Sequence, residues 1–172
     1  MMQSGCVDDS YHVNMIINLL LRFPEIFTVS YNLPAQSYSL LFMIKARVKA
    51  EQLDHLRRML NENLEAYRFF KKKEHCPVQV NKKYYYGFTH LELCLADNHL
   101  GGEEIGLISR LIKDKYGHAL ISELRFEEID SLDDSPGSWE EFFPALYKRG
   151  SECAVQKLIA FREAGKVYVF NQ

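Results

Sequence analysis

Tyr38-Ser39-Leu40-Leu41-Phe42-Met43-Ile44-Lys45-Ala46-Arg47-Val48 runs directly into Lys49-Ala50-Glu51-Gln52-Leu53-Asp54-His55-Leu56-Arg57-Arg58-Met59-Leu60. Between the two, the spacing of apolar residues changes from two to three and four. In the first part Tyr38, Leu40, Phe42, Ile44, Ala46 and Val48 alternate with Ser39, Leu41, Met43, Lys45 and Arg47. This predicts a strand with an even core face. Its odd face is apolar at the start and basic at the end, so the early part is expected to be covered on both sides. In the second part Leu53, Leu56, Met59, Leu60, Leu64 and Tyr67 recur at helical spacing. A helix from Ala50 to about Phe70 follows, roughly 30 Å long and able to cross one face of a small sheet.

Beyond Cys76-Pro77, Val78 to Val80 reads as a short strand joined through Asn81-Lys82-Lys83 to a long one, Tyr84 to Ala96. Gly102 to Tyr116 reads as a helix with Ile105, Ile108, Leu111 and Ile112 inward, and Ala119 to Ile129 as the next strand. The succession strand, helix, short strand, strand, helix, strand is that of the ferredoxin-like split βαβ core, an antiparallel sheet with helices on one face. The expected fold is therefore α+β.

Toward the N-terminus, a helix is expected after Asp9 or Ser10 with Val13, Ile16, Ile17, Leu20 and Leu21 on one face, ended by Pro24. Ile26 to Tyr31 then adds a hairpin strand through Asn32-Leu33-Pro34. Toward the C-terminus, Ser138-x-x-Glu141 forms a capping box for a helix around Trp139 to Phe143. Ser151 is expected to cap a last helix carrying Val155, Leu158, Ile159 and Arg162 up to Gly165, before a closing strand, Lys166 to Phe170. The 172 residues are read as one domain, with a core at about 38–129 and a helical plus strand extension at 130–172.

Composition excludes several classes. The chain is 47% hydrophobic, with 21 basic against 23 acidic residues, which is a globular profile and not a disordered one. The first nine residues hold neither a positive n-region nor an apolar h-region, so no secretory signal is expected. The most apolar stretch, Val13 to Leu21, is about half the ~20 residues a bilayer demands, and no membrane partner is expected. Cys6, Cys76, Cys94 and Cys153 are scattered without a CxxC pair, which points to reduced thiols and a cytoplasmic location. The near-neutral charge hides a division. Residues 45–83 hold 11 Lys and Arg against 5 Asp and Glu, and residues 92–141 hold 4 against 13. Arg57, Arg58, Arg68, Lys71, Lys72, Lys73, Lys82 and Lys83 could face a small anionic ligand or RNA. Alternatively, the two charged edges meet within the fold or across a homo-oligomer.

Chemistry-bearing residues concentrate in Tyr84 to His99. On a strand, His90, Glu92 and Cys94 project together opposite Leu91, Leu93 and Leu95, with Asp97 and His99 in the following turn. An imidazole, a carboxylate and a thiol at period two can line a zinc site, His90, Glu92, Cys94 and His99, with Asp97 as an alternative fourth ligand. The same atoms could serve acid–base work, with His90 as base and Glu92 or Asp97 as its orienter. A polar sheet face with a buried Cys is the plain structural account. No GxSxG, HExxH, Walker loop or dinucleotide fingerprint is present. Gly101-Gly102 precedes Glu103 and Glu104, whose charge suits a helix start and repels a phosphate.

Tyr84 to Leu91 resembles the aromatic RNA-binding motif of RRM domains, with Tyr86-Gly87-Phe88 at its centre. Tyr84 and Tyr85 depart from its basic and Gly positions, and Leu91 replaces its last aromatic. The resemblance implies RNA stacking on Tyr84, Tyr86 and Phe88. The leading expectation is a non-catalytic ligand-binding or self-assembly module using an open sheet face, with Tyr84, Tyr86, Phe88, His90 and Glu92 as contacts and no cofactor. A zinc enzyme and an RNA-binding domain are the alternatives.

Overall fold

The computed structural model describes residues 9–96, 101–122, 157–163 and 165–171. Among them are three α-helices, α1 (Asp9–Arg22), α2 (Ala50–Lys71) and α3 (Gly102–Tyr116). Six strands accompany them: β1 (Ile26–Asn32), β2 (Ser37–Ile44), β3 (Gln79–Tyr85), β4 (Phe88–Ala96), β5 (Lys157–Glu163) and β6 (Lys166–Asn171). The strands form one open sheet in the order β3-β4-β2-β1-β5-β6, with every neighbouring pair antiparallel. The fold is α+β. None of the described helices is long and apolar enough to cross a membrane.

All three helices pack on one side of the sheet. Ile16 and Leu20 of α1, Leu56 and Leu60 of α2, and Ile105 and Ile108 of α3 join Val29, Leu40, Leu91 and Ala160 of the strands in a single buried cluster. In α2 the inward stripe is Leu53, Leu56, Leu60, Leu64 and Arg68, so the expected periodicity holds as far as Leu64, and in the last turn Arg68 is buried while Tyr67 is only half-buried. Gln52 accepts a hydrogen bond from the backbone N–H of Lys49 at 2.8 Å and closes the helix start. In α1 the buried positions are His12, Ile16, Leu19 and Leu20, with Phe23 just beyond its end, while Leu21 is exposed. The stripe is rotated from the one expected because His12 points inward. Its Nδ1 lies 2.7 Å from the Tyr38 hydroxyl and its ring stacks 3.8 Å from Tyr31.

Three expectations are corrected. The β3–β4 turn falls at Tyr86-Gly87 and not at Asn81-Lys82-Lys83. Both turn residues have positive φ, 46° and 88°, the geometry of a tight two-residue hairpin. Second, residues 157–163 are a strand and not part of a helix. Leu158, Ala160 and Arg162 point to the helix side by strict alternation, and backbone pairing with β1 on one flank and β6 on the other fixes the extended form. Gly165, with φ of 73°, turns the β5–β6 hairpin and does not cap a helix. The expected helices at Trp139 to Phe143 and after Ser151 lie, up to residue 156, outside the described residues.

The third correction concerns the sheet edge beside β2. The succession β2-α2-β3-β4-α3 is as expected, with β2 and β3 parallel to each other on either side of β4. The edge reserved for the strand after α3 is instead occupied by β1. That later segment meets β2 at a single bridge, Leu120 opposite Ile44, with Lys45 N–H donating to Ala119 O at 2.7 Å and Ile121 N–H to Met43 O at 2.9 Å. Residues 123–129 of the expected strand lie outside the described residues.

Candidate functional site

The period-two rule places Phe88, His90, Glu92, Cys94 and Ala96 on the outer face, turned away from the helices, because Thr89, Leu91, Leu93 and Leu95 fill the helix side. His90 lies between Lys83 of β3 and Met43 of β2, Glu92 between Asn81 and Leu41, and Cys94 between Gln79 and Ser39. The three side chains share a face as the sequence suggested. Their bonds run sideways, however. Ser39 Oγ donates to Glu92 Oε1 at 2.6 Å, and Cys94 Sγ lies 3.9 Å from the same hydroxyl.

The electrostatics of His90 and Cys94 argue for neutral, structural groups. Burial and then the Lys83 ammonium push the His90 imidazole below its ordinary pKa, which favours the neutral ring at pH 7. Burial and the Glu92 carboxylate push the Cys94 thiol up against the opposing pull of Ser39 and Lys157, so the thiolate needed for nucleophilic work is disfavoured. Among the described residues no three of His, Cys, Asp and Glu converge as metal ligands. Asp97 and His99 lie outside the described residues.

The aromatic residues of this region are dispersed. Tyr84 sits on β3 opposite Thr89, on the helix side, with the Arg47 guanidinium 5.2 Å over its ring. Tyr86 is in the turn, and Phe88 is on the outer face opposite Tyr85. The three rings of the RRM resemblance therefore do not share a face. The turn position is the cause, because it moves Tyr84 onto a different strand. Tyr85, which sequence reasoning passed over, is the ring beside Phe88 and stands 5.4 Å from His90.

The outer face is not open throughout. At its middle, Thr28, Ser30, Met43 and Ile159 are buried, and His90 is only 7% exposed. Exposure is concentrated at the flanks. One flank holds Tyr85 and the polar side chains of β3. The other holds Phe161 of β5, which stacks at 5.6 Å on both Tyr168 and Phe170 of β6. Tyr168 and Phe170 remain 40% and 49% exposed. The helical reading of residues 155–162 concealed this aromatic group.

The basic patch is largely engaged within the fold. Arg57 donates to Val80 O at 2.9 and 2.7 Å, and Lys82 donates to Val48 O. Arg68, itself buried, bonds Cys76 O and pairs at 3.1 Å with the fully buried Glu104, which also takes Lys73 at 3.1 Å. Lys71 meets Glu103 at 3.2 Å. Arg68 and Lys71 at the end of α2 thus meet Glu104 and Glu103 at the start of α3. Arg58, Lys72 and Lys83 stand outside these pairings.

Comparison of the chain with family models, curated proteins and solved structures finds no match.

Proposed function

We propose that the chain is a non-catalytic self-assembly module whose copies join edge to edge along β6. The observation that carries this reading is the difference between the two edges of the sheet. The β3 edge is guarded by Gln79, Asn81, Lys82 and Lys83, the polar and charged residues that discourage strand addition. The β6 edge reads Lys166-Val167-Tyr168-Val169-Phe170-Asn171, with one charge at its start and an exposed aromatic pair on one face.

Glu163 and Lys166 pair directly across the two-residue turn. Ladder alternation then directs the backbone N–H and C=O of Val167, Val169 and Asn171 away from β5. A two-fold axis through Val169 would satisfy them and set Tyr168 opposite Phe170 of the second copy, twice. Such cross-strand aromatic pairs contribute up to about 1 kcal/mol each.

The neutral His90 and protonated Cys94 support a non-catalytic reading, and the internal pairing of the basic side chains weighs against RNA. The retained β2-α2-β3-β4-α3 succession supports a variant of the ferredoxin-like core with β1 in the fourth place. Free thiols at Cys76 and Cys94 support a reducing, cytoplasmic setting.

Sedimentation velocity over a concentration series tests the assembly. The expected result is a concentration-dependent dimer that Val169→Pro abolishes, since that N–H faces away from β5. The double variant Tyr168→Lys/Phe170→Lys, at two exposed positions, should also give a monomer. A wild-type chain that remains monomeric at every concentration, or a dimer indifferent to both variants, overturns the reading.

A further inference from the structure

One side of β2 is covered by two segments laid end to end, and their junction holds a cleft. β1 pairs with β2 as far as Ile26 opposite Phe42, and beyond it Leu120 takes over opposite Ile44. The chain enters β1 through the turn Phe23-Pro24-Glu25, closed by Ile26 N–H donating to Phe23 O at 3.1 Å, which sets Glu25 at the joint. After α3, Gly117 takes φ 49°, ends the helix and swings the chain back toward β2. The cleft has a volume of about 290 Å³ and is lined by Glu25, Lys113, Gly117, His118, Leu120 and Ser122. A bridging water takes up about 30 Å³, so this volume belongs with small-molecule sites, at the lower end of their usual range of about 300–1,000 Å³.

Glu25 is 2% exposed, and its Oε2 accepts no hydrogen bond from any described residue. Buried carboxylate oxygens are ordinarily satisfied. The Lys113 ammonium stands 3.8 Å from this oxygen, which balances the charge but is too long for a hydrogen bond. Lys113 comes from the last turn of α3 and is itself 59% exposed, so its head can shift to admit a ligand. Because the two charges already cancel, the cleft suits a ligand with no net charge. Such a ligand has to donate a hydrogen bond to Glu25, and it can accept one from Lys113, whose ammonium carries three donors.

We infer that the cleft binds a small neutral molecule through a cis-amide edge, the adjacent N–H and C=O of a lactam or imide ring. In that edge the nitrogen and oxygen lie about 2.2 Å apart, as amide bond lengths require. Set against an acceptor and a donor 3.8 Å apart, two hydrogen bonds of about 2.9 Å each splay by only about 16°, within the range of good geometry. Glu25 thereby gains the donor it lacks and keeps its ion partner. Leu120 gives the ring an apolar wall. Nucleobases and cyclic dipeptides both present this edge. The cleft is separated from β6 by β5, so binding here does not depend on assembly.

The test titrates the isotope-labelled full chain with uracil, the cyclic dipeptide of glycine, doubly N-methylated uracil and ethylammonium, following backbone amide resonances. Uracil or the cyclic dipeptide should shift those of Gly117, His118, Leu120 and Ser122 saturably, the tighter of the two naming the source of the edge. Doubly N-methylated uracil keeps the ring and carbonyls but has no N–H, and should bind roughly tenfold more weakly or worse. Glu25→Met, which puts an apolar group of similar length in place of the carboxylate, should weaken uracil by a similar factor. Lys113→Met, at an exposed position that leaves the fold intact, should weaken it several-fold and decides the matter if Glu25→Met does not fold. No shift with either amide overturns the inference, as does a Lys113→Met variant that binds as wild type. Methylated uracil or ethylammonium binding as tightly as the better amide also overturns it, the first meaning a merely apolar cleft and the second a cation site.

Discussion

Leu91 and His90 are consecutive on β4 and both buried, yet they report two different environments. Leu91 enters the core beneath the helices, between Phe42 of β2 and Lys82 of β3, in the same buried apolar cluster as Leu40, Leu56 and Ile105. His90 turns the other way, between Lys83 and Met43, on a face that also carries the Ser39–Glu92 bond. The same strands are thus held on one side by volume and on the other by polar matching. Losses on the helix side should be large and indifferent to pH, whereas those on the outer face should be smaller and tied to protonation.

The largest expected effect is on the helix side. Leu91→Ala removes the branched end of a fully buried side chain and should destabilise by about 2–5 kcal/mol, as large-to-small core changes do. Urea denaturation at two pH values checks it. A loss below about 1 kcal/mol would mean that β4 is not pressed against the helices, and a strongly pH-dependent loss would erase the contrast between the faces.

The outer face gives the second test. The folded-state pKa of His90 is depressed, so the unfolded chain binds more protons once the pH falls below the ordinary value of about 6.5. The contribution of the neutral ring is fully present above that pH and is lost as the pH falls toward the folded pKa. Stability should therefore decline on acidification from pH 6.5, by no more than one proton's slope, about 1.4 kcal/mol per pH unit. His90→Gln should remove that part of the slope. An unchanged slope would show that His90 titrates in the fold as it does in the open chain.

The two faces were not equally legible in the sequence. The even face of β2 as far as Ile44, where the strand ends four residues before the expected Val48, and the stripe of α2 as far as Leu64 could be read directly because their periods run unbroken for many residues. Residues 155–162 could not. Val155, Leu158, Ile159 and Arg162 satisfy helical spacing while Leu158, Ala160 and Arg162 satisfy strand spacing, and only pairing with β1, distant in sequence, decides between them. The same non-locality hid Glu104. Its place in a helix start was readable, but its partner Arg68 lies 36 residues away, so the division of charge was visible and its resolution across α2 and α3 was not. On β4 the sharing of a face by His90, Glu92 and Cys94 was visible. Their sideways ties to Ser39, Met43 and Lys83 depend on register.

Register in that hairpin is set by its turn, and the turn gives the smallest and most discriminating test. The polar run Asn81-Lys82-Lys83 looks the better turn, yet the chain turns at Tyr86-Gly87. Starting β3 at Gln79 lets Val80 meet Leu93 on the helix side and puts Tyr85 beside Phe88 on the outer face. Those pairings outweigh the cost of holding a tyrosine at φ 46°, a region that costs most L-residues roughly 1–2 kcal/mol and asparagine less. Tyr86→Asn restores the Asn-Gly pair that such turns favour. It should raise stability by about 0.5–1 kcal/mol, the fraction of that cost relieved, with both faces unchanged. Thermal unfolding measures the gain. A loss instead would mean that the Tyr86 ring holds the hairpin in place, so that the assignment of β3 residues to the two faces rests on an aromatic contact as well as on the turn.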